Sequence, residues 1–154
     1  MDYSNKNVKL AAEVVQSFMT ISKTLVRFTQ QNASSLGLTV QQMGIINTIY
    51  STPSATLKAI TEKLQMSKST VSVNVDELVK AELIERKISE EDRREINLTL
   101  TAKGVTLAQK SCQNASSYKA MMSALEDISE EKIQELMKTH NELLANLRRC
   151  NLPV

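Results

Sequence analysis

The sequence predicts a mainly α-helical fold with one small β-hairpin, and three observations carry that reading. Apolar residues recur at helical spacing through most of the chain, while only three glycines and two prolines interrupt its 154 residues. Between residues 83 and 100 the period becomes alternating, with Ile84, Arg86 and Ile88 on one strand face and Ile96, Leu98 and Leu100 on another. Between these two runs lies Ser89-Glu90-Glu91-Asp92-Arg93-Arg94, a charged tip too polar to be core.

The length allows a single domain, residues 1–154, with a substantial core. An apolar fraction of 42% and a charged fraction of 23% are ordinary for a soluble globular protein. A net charge of +2 excludes a generally basic nucleic-acid binder. Attraction to phosphate must therefore come from local clusters, chiefly Lys58, Lys63, Lys68, Arg86, Lys87, Arg93 and Arg94. Solvated surface equally accounts for most of the lysines taken one at a time. Met1-Asp2-Tyr3 opens polar and acidic, unlike a signal peptide. Residues 28–57 carry no charge but are rich in Thr, Gln, Asn and Ser, which is not the composition of a membrane span. A cytoplasmic protein with no membrane association is expected.

Taken in order, a first long helix spans 5–35, with Val8, Ala11, Ala12, Val15, Phe18, Met19, Leu25 and Val26 as its apolar positions. Gly37 can adopt the left-handed conformation that ends it. Thr39 and Gln42 form a capping box for a second helix, whose buried side is expected to be Met43, Ile46, Ile49 and Tyr50. Residues 51–54 form a loop. A helix-turn-helix follows at 56–79: Ile60 and Leu64 lie one turn apart, Ser67 caps the second helix, and Val71, Val75, Leu78 and Val79 share its inner side. The opposite side carries Ser69, Val73 and Asp76, flanked by Thr70, Ser72 and Asn74. Small hydroxyls and an amide near a helix N-terminus suit approach to phosphates and base edges. With the hairpin at 83–100, the lobe 39–100 is a winged helix-turn-helix.

Thr101 caps a fifth helix expected to run to about Leu125 through Val105, Ala108, Cys112, Ala115, Met121 and Met122. Ser129 caps the last helix, with Glu130 and Glu131 complementing its dipole. There Ile133, Leu136, Met137, His140, Leu143, Leu144 and Leu147 form one apolar stripe. The terminal helices, 5–35 and 102–150, are long for one small lobe. Intertwining them between two subunits would bury Val8, Ala11 and Val15 along with the C-terminal stripe; packing within one chain is the alternative. A twofold dimer also suits paired half-sites in DNA.

These residues carry a specific resemblance. The run SKSTVS, the hairpin with Asp92-Arg93-Arg94, the sequence Leu100-Thr101-Ala102-Lys103-Gly104 and the Leu38-Thr39-Val40-Gln41-Gln42 entry to the second helix resemble the MarR family of bacterial transcriptional regulators. The resemblance covers nearly the whole chain. It implies a homodimer on a palindromic double-stranded DNA operator, with repression as the expected outcome of binding. The DNA-binding residues would be Ser67, Lys68, Ser69, Thr70, Ser72, Val73, Asn74, Arg86, Asp92, Arg93 and Arg94. It further implies release by a small aromatic or amphipathic effector, for which Phe18, Met19, Leu25, Met43 and Met122 are candidate lining residues. Plain core packing explains those five equally well.

The chain departs from the family pattern at three positions. Gln65 and Glu82 stand where many members have glycine, and a positive φ at Glu82 would cost about 1 kcal/mol. Val73 stands where many members carry arginine. It cannot grip guanine in bidentate fashion but can pack on a thymine methyl.

Catalysis finds no support: there is no GxSxG, P-loop, HExxH or GxGxxG. At a hairpin tip Asp92 is better suited to orienting an arginine than to acid–base chemistry. The single histidine, His140, cannot supply the three or four ligands of a zinc site, and no cofactor is implied. Cys112 is expected to pack as a small hydrophobe. Cys150 follows Arg148-Arg149 near the chain end, where an exposed thiol is expected. Two alternatives stand beside ligand control: a redox-gated regulator acting through Cys112 or Cys150, and a helical dimeric interaction protein that does not read DNA.

Overall fold

The structure is a computed structural model that describes residues 5–88 and 96–150. Among the described residues, seven helices and three short strands follow in the order α1 (Lys6–Ser35), α2 (Val40–Ser51), β1 (Ala55–Thr56), α3 (Leu57–Leu64), α4 (Lys68–Lys80), β2 (Ile84–Ile88), β3 (Ile96–Leu100), α5 (Ala102–Gln113), α6 (Ser116–Leu125) and α7 (Glu130–Arg149). They group into two compact units, Met1–Ser117 and Tyr118–Val154. The mainly helical fold with a small wing is as the sequence predicts. No described helix is long and apolar enough to cross a membrane.

The first unit is built around α2. Ile45, Ile46 and Ile49 of that helix join Ile60 of α3, Val71, Val75 and Leu78 of α4, Leu83, Ile84 and Leu98 of the hairpin, and Ala108 of α5 in one buried cluster. These residues sit where the helical and alternating periods place them, so one core fixes four helices against the sheet. The sheet is antiparallel in the order β1-β3-β2, with Ile84 opposite Leu100, Arg86 opposite Leu98 and Ile88 opposite Ile96. The two-residue strand β1 pairs Ala55 with Leu98; the sequence reading has no strand there.

The caps account for most boundaries. The Asn5 side chain accepts from the Asn7 N–H and opens α1. Gly37 closes that helix at φ 69°. The Thr39–Gln42 box forms in both directions, at 3.1 and 3.0 Å. Thr101 receives the Gly104 N–H at 3.0 Å. Ser129 occupies the N-cap position of α7 without a side-chain cap bond.

Three expectations are corrected. The fifth helix does not run on to Leu125: α5 ends at Gln113 with Asn114 as its C-cap, and α6 begins at Ser116, whose hydroxyl donates to the Asn114 carbonyl. That side-chain bond takes up a helix-end carbonyl and lets the chain restart. Tyr50 is exposed, while Ile45 and Thr48 join Met43, Ile46 and Ile49 on the buried side of α2. Cys112 is exposed too. The inner face of α5 passes through Gly104, Ala108 and Ser111, and Cys112 lies one residue beyond it. Ser111 is buried because α1 and α2 both use it. Asn32 donates to its carbonyl at 3.0 Å, and Asn47 donates to its hydroxyl at 2.9 Å.

In the second unit no residue of α7 is fully buried. Ile133, His140 and Leu143 are half-buried, whereas Leu136, Met137, Leu144 and Leu147 are exposed.

Candidate nucleic-acid interface

The α3–turn–α4 element sets the geometry. α3 ends in a left-handed Gln65, φ 51° and ψ 40°, and the Met66 N–H reaches back to the Thr61 carbonyl at 3.2 Å. Gln65 thus takes the backbone conformation usually given to glycine, because the turn bonds and the core on either side hold it there. Ser67 then starts α4, accepting the Thr70 N–H at 3.1 Å. Its hydroxyl also lies 2.9 Å from that of Ser69 and 2.7 Å from that of Thr70. Three hydroxyls are thereby gathered at the N-terminus of a helix, where backbone N–H groups and the helix dipole favour phosphate oxygens.

With Val71, Val75 and Leu78 in the core, the other side of α4 faces outward. Ser67, Lys68, Ser69 and Thr70 are exposed, and Val73 is 56% exposed. Ser72 and Asn74 are half-buried at the flanks, and the Asn74 amide donates to the Thr70 carbonyl at 2.8 Å. The proposed DNA-facing residues of α4 therefore share one accessible surface.

Arg86 on β2 binds Asp76 on α4, joining wing to helix. The pair is about half exposed, so its stabilising effect is on the order of 0–1 kcal/mol, and its main consequence is orientation. Glu77, the next residue, accepts from Gln42 Nε2 at 2.9 Å. Gln42 thus closes the α2 capping box with one end of its amide and holds α4 with the other. Sequence reasoning found the box but missed Glu77, since nothing local links positions 42 and 77. At the base of the wing, Glu82 adopts φ 60°, and the Leu83 N–H bonds the Leu78 carbonyl at 2.9 Å. The positive φ considered from the sequence is present. Lys103 Nζ donates to the Ala81 carbonyl at 2.9 Å and Lys63 Nζ to the Ser51 hydroxyl at 3.0 Å. Asp92, Arg93 and Arg94 lie outside the described residues.

An α4 exposed along one face, tied to a three-stranded wing and carried on α2, is the winged helix-turn-helix arrangement. A model of the MarR family matches residues 36–95. The multiple antibiotic-resistance repressor (MarR) from Listeria monocytogenes 4b F2365 is 32% identical, with 94% of this chain and 100% of that one covered and a TM-score of 0.60. The chain belongs to the MarR family. Staphylococcus aureus MarR, solved in complex with salicylate and kanamycin, is a further similar structure at 26% identity and TM-score 0.75, covering 92% of this chain and 95% of that one. An uncharacterized HTH-type transcriptional regulator of S. aureus strain MRSA252 is 27% identical over 134 residues, 87% of this chain and 92% of its own length. The MarR-type chain is accordingly a DNA-binding transcriptional regulator by family and fold.

The remaining candidate residues separate by location. On α1 of this MarR-family chain, Val8 and Leu25 are half-buried, while Ala11, Val15, Phe18 and Met19 are exposed. Met43 is buried in the first unit, and Met122 is exposed in the second. Cys112 and Cys150 are both free and exposed.

Proposed function

We propose that this protein is a homodimeric repressor that binds a palindromic operator and releases it when a small amphipathic molecule binds. The observation that carries the DNA-reading part is the outward surface of α4, where a Ser-Lys-Ser-Thr N-terminus and an exposed Val73 project away from the core. In a helix-turn-helix the N-terminal residues of the second helix meet base edges in the major groove, and the residues before them meet phosphate. The wing then reaches the flanking backbone or minor groove, with Arg93 and Arg94 as its cations and Asp92 orienting them.

Dimerisation follows from surface that one chain leaves wet. Leu10, Val15, Phe18, Met19, Ile21 and Val26 of α1 are 42–59% exposed, an unusual density for one helix. Leu136, Met137, Leu144 and Leu147 of α7 form a second such stripe. A second copy covers both under twofold symmetry and sets two α4 helices against two half-sites. Repression is supported by the similarity to the Listeria repressor, and small-molecule control by the similarity to S. aureus MarR bound to salicylate and kanamycin. Phe18, Met19 and Leu25 on α1 are the effector-contact candidates; Met43, being buried, serves the core.

The test is a fluorescence-anisotropy titration of duplex DNA across a salt series, repeated with salicylate. Sequence-dependent binding that weakens steeply with salt and is relieved by salicylate is expected. Binding to no duplex would leave a dimeric interaction protein in its place.

A further inference from the structure

Resting on the DNA-reading role above, we propose that α4 selects a thymine in each half-site through Val73, and disfavours guanine under its first two turns. The face that meets the groove carries unusual chemistry for that task. Specific recognition of guanine uses a bidentate Arg or Lys to O6 and N7. The cations of α4 are Lys68 and Lys80. Lys68 is the first helical residue, and a helical side chain leans toward the N-terminus, which sends it toward phosphate. Lys80 is the last residue, about 10 Å further along the axis than Val73 at 1.5 Å per residue.

The polar groups that would read other bases are already engaged. Asp76 is paired with Arg86, and Glu77 accepts from Gln42 at 2.9 Å, so each carboxylate would have to share itself with a protein partner to accept a hydrogen bond from cytosine N4. The Asn74 amide donates one N–H to the Thr70 carbonyl at 2.8 Å, so a bidentate grip on adenine must accommodate or displace that bond. The Ser67 hydroxyl bonds those of Ser69 and Thr70, and such hydroxyls accept from or donate to any base. What remains at the centre of the surface is the Val73 isopropyl group, 56% exposed to water. The major groove offers one apolar complement to it, the thymine C5 methyl. Covering that methyl removes apolar surface from water on both sides, whereas a guanine edge there loses its water without gaining a donor.

Deoxyuridine tests this, because it pairs like thymine and lacks only the methyl. Each thymine of a duplex recovered by selection with the wild-type protein is replaced in turn, and binding is measured for wild type and Val73→Ala. One buried methyl is worth about 0.8 kcal/mol, or about fourfold in affinity. Wild type should weaken about fourfold at one thymine in each half-site, and Val73→Ala should be indifferent to that replacement. Val73→Arg should move the selected base toward guanine. Since the side chain is exposed, thermal melting of both variants should match wild type. Equal binding of every deoxyuridine duplex, or a selected half-site with G·C under Val73, overturns the thymine assignment and leaves DNA reading intact. Failure of wild type to bind any duplex overturns the DNA-reading role itself, and this assignment with it.

Discussion

Gly104→Ala puts a methyl group where the backbone of the wing already stands. A Cβ at Gly104 would lie 2.1 Å from the Leu83 carbonyl oxygen, 3.1 Å from its carbon and 3.3 Å from the Leu100 Cβ. Carbon and oxygen approach no closer than about 3.3 Å even in favourable C–H···O contacts, so roughly 1.2 Å of separation must be found. Leu83 has little freedom to retreat. Its side chain is buried in the core, and its carbonyl accepts the Thr101 N–H at 3.1 Å. Overpacking of this kind costs about 1–3 kcal/mol, and losing the Thr101 bond adds about 1 kcal/mol. The better helix propensity of alanine returns about 1 kcal/mol. The net loss is about 1–3 kcal/mol, which lowers Tm by about 3–10 °C for a chain of this size. Thermal unfolding followed by circular dichroism at matched protein concentration reads it directly. A Tm equal to or above wild type would show that the α5–wing contact is looser than described.

Three further outcomes follow from other elements. Glu82→Gly relieves the φ of 60° at the wing root and should raise Tm by about 1–4 °C, from a gain of about 0.5–1 kcal/mol; a fall would mean that the Glu82 side chain contributes more than its backbone strain costs. Leu144→Glu places a charge in the exposed stripe of α7 and should shift sedimentation from dimer to monomer, weakening operator binding as the half-sites lose their coupling. Arg94→Ala should reduce binding on all sequences and flatten the salt slope by about one unit, so an unchanged slope would remove this arginine from phosphate contact.

The parts of the fold legible in the sequence are those written in local chemistry. The Thr39–Gln42 box, the Ser67 and Thr101 caps and the Val71–Val75–Leu78 spacing each involve residues within one or two turns, and all appear in the structure. What stayed hidden depends on distant partners. Ser111 is buried because Asn32 and Asn47 reach it from two other helices, and that choice rotates Cys112 outward. The two-residue β1 forms only because Leu98 is brought beside Ala55. At the DNA-facing surface the residue types were readable, but the engagement of Asp76 by Arg86 and of Glu77 by Gln42 was not. Those two contacts tie both carboxylates of α4 to protein partners. The Asn114 break was also obscured, because the apolar period continues across it through Ala115 and Met121 and disguises two helices as one.

Two copies of α4 reading two related half-sites would leave a direct mark on duplexes selected by the protein from a random pool. An enriched inverted repeat is expected, with half-site centres about one helical turn, roughly 10 base pairs, apart. Enrichment of a sequence without twofold symmetry, or no enrichment after repeated rounds, would contradict it.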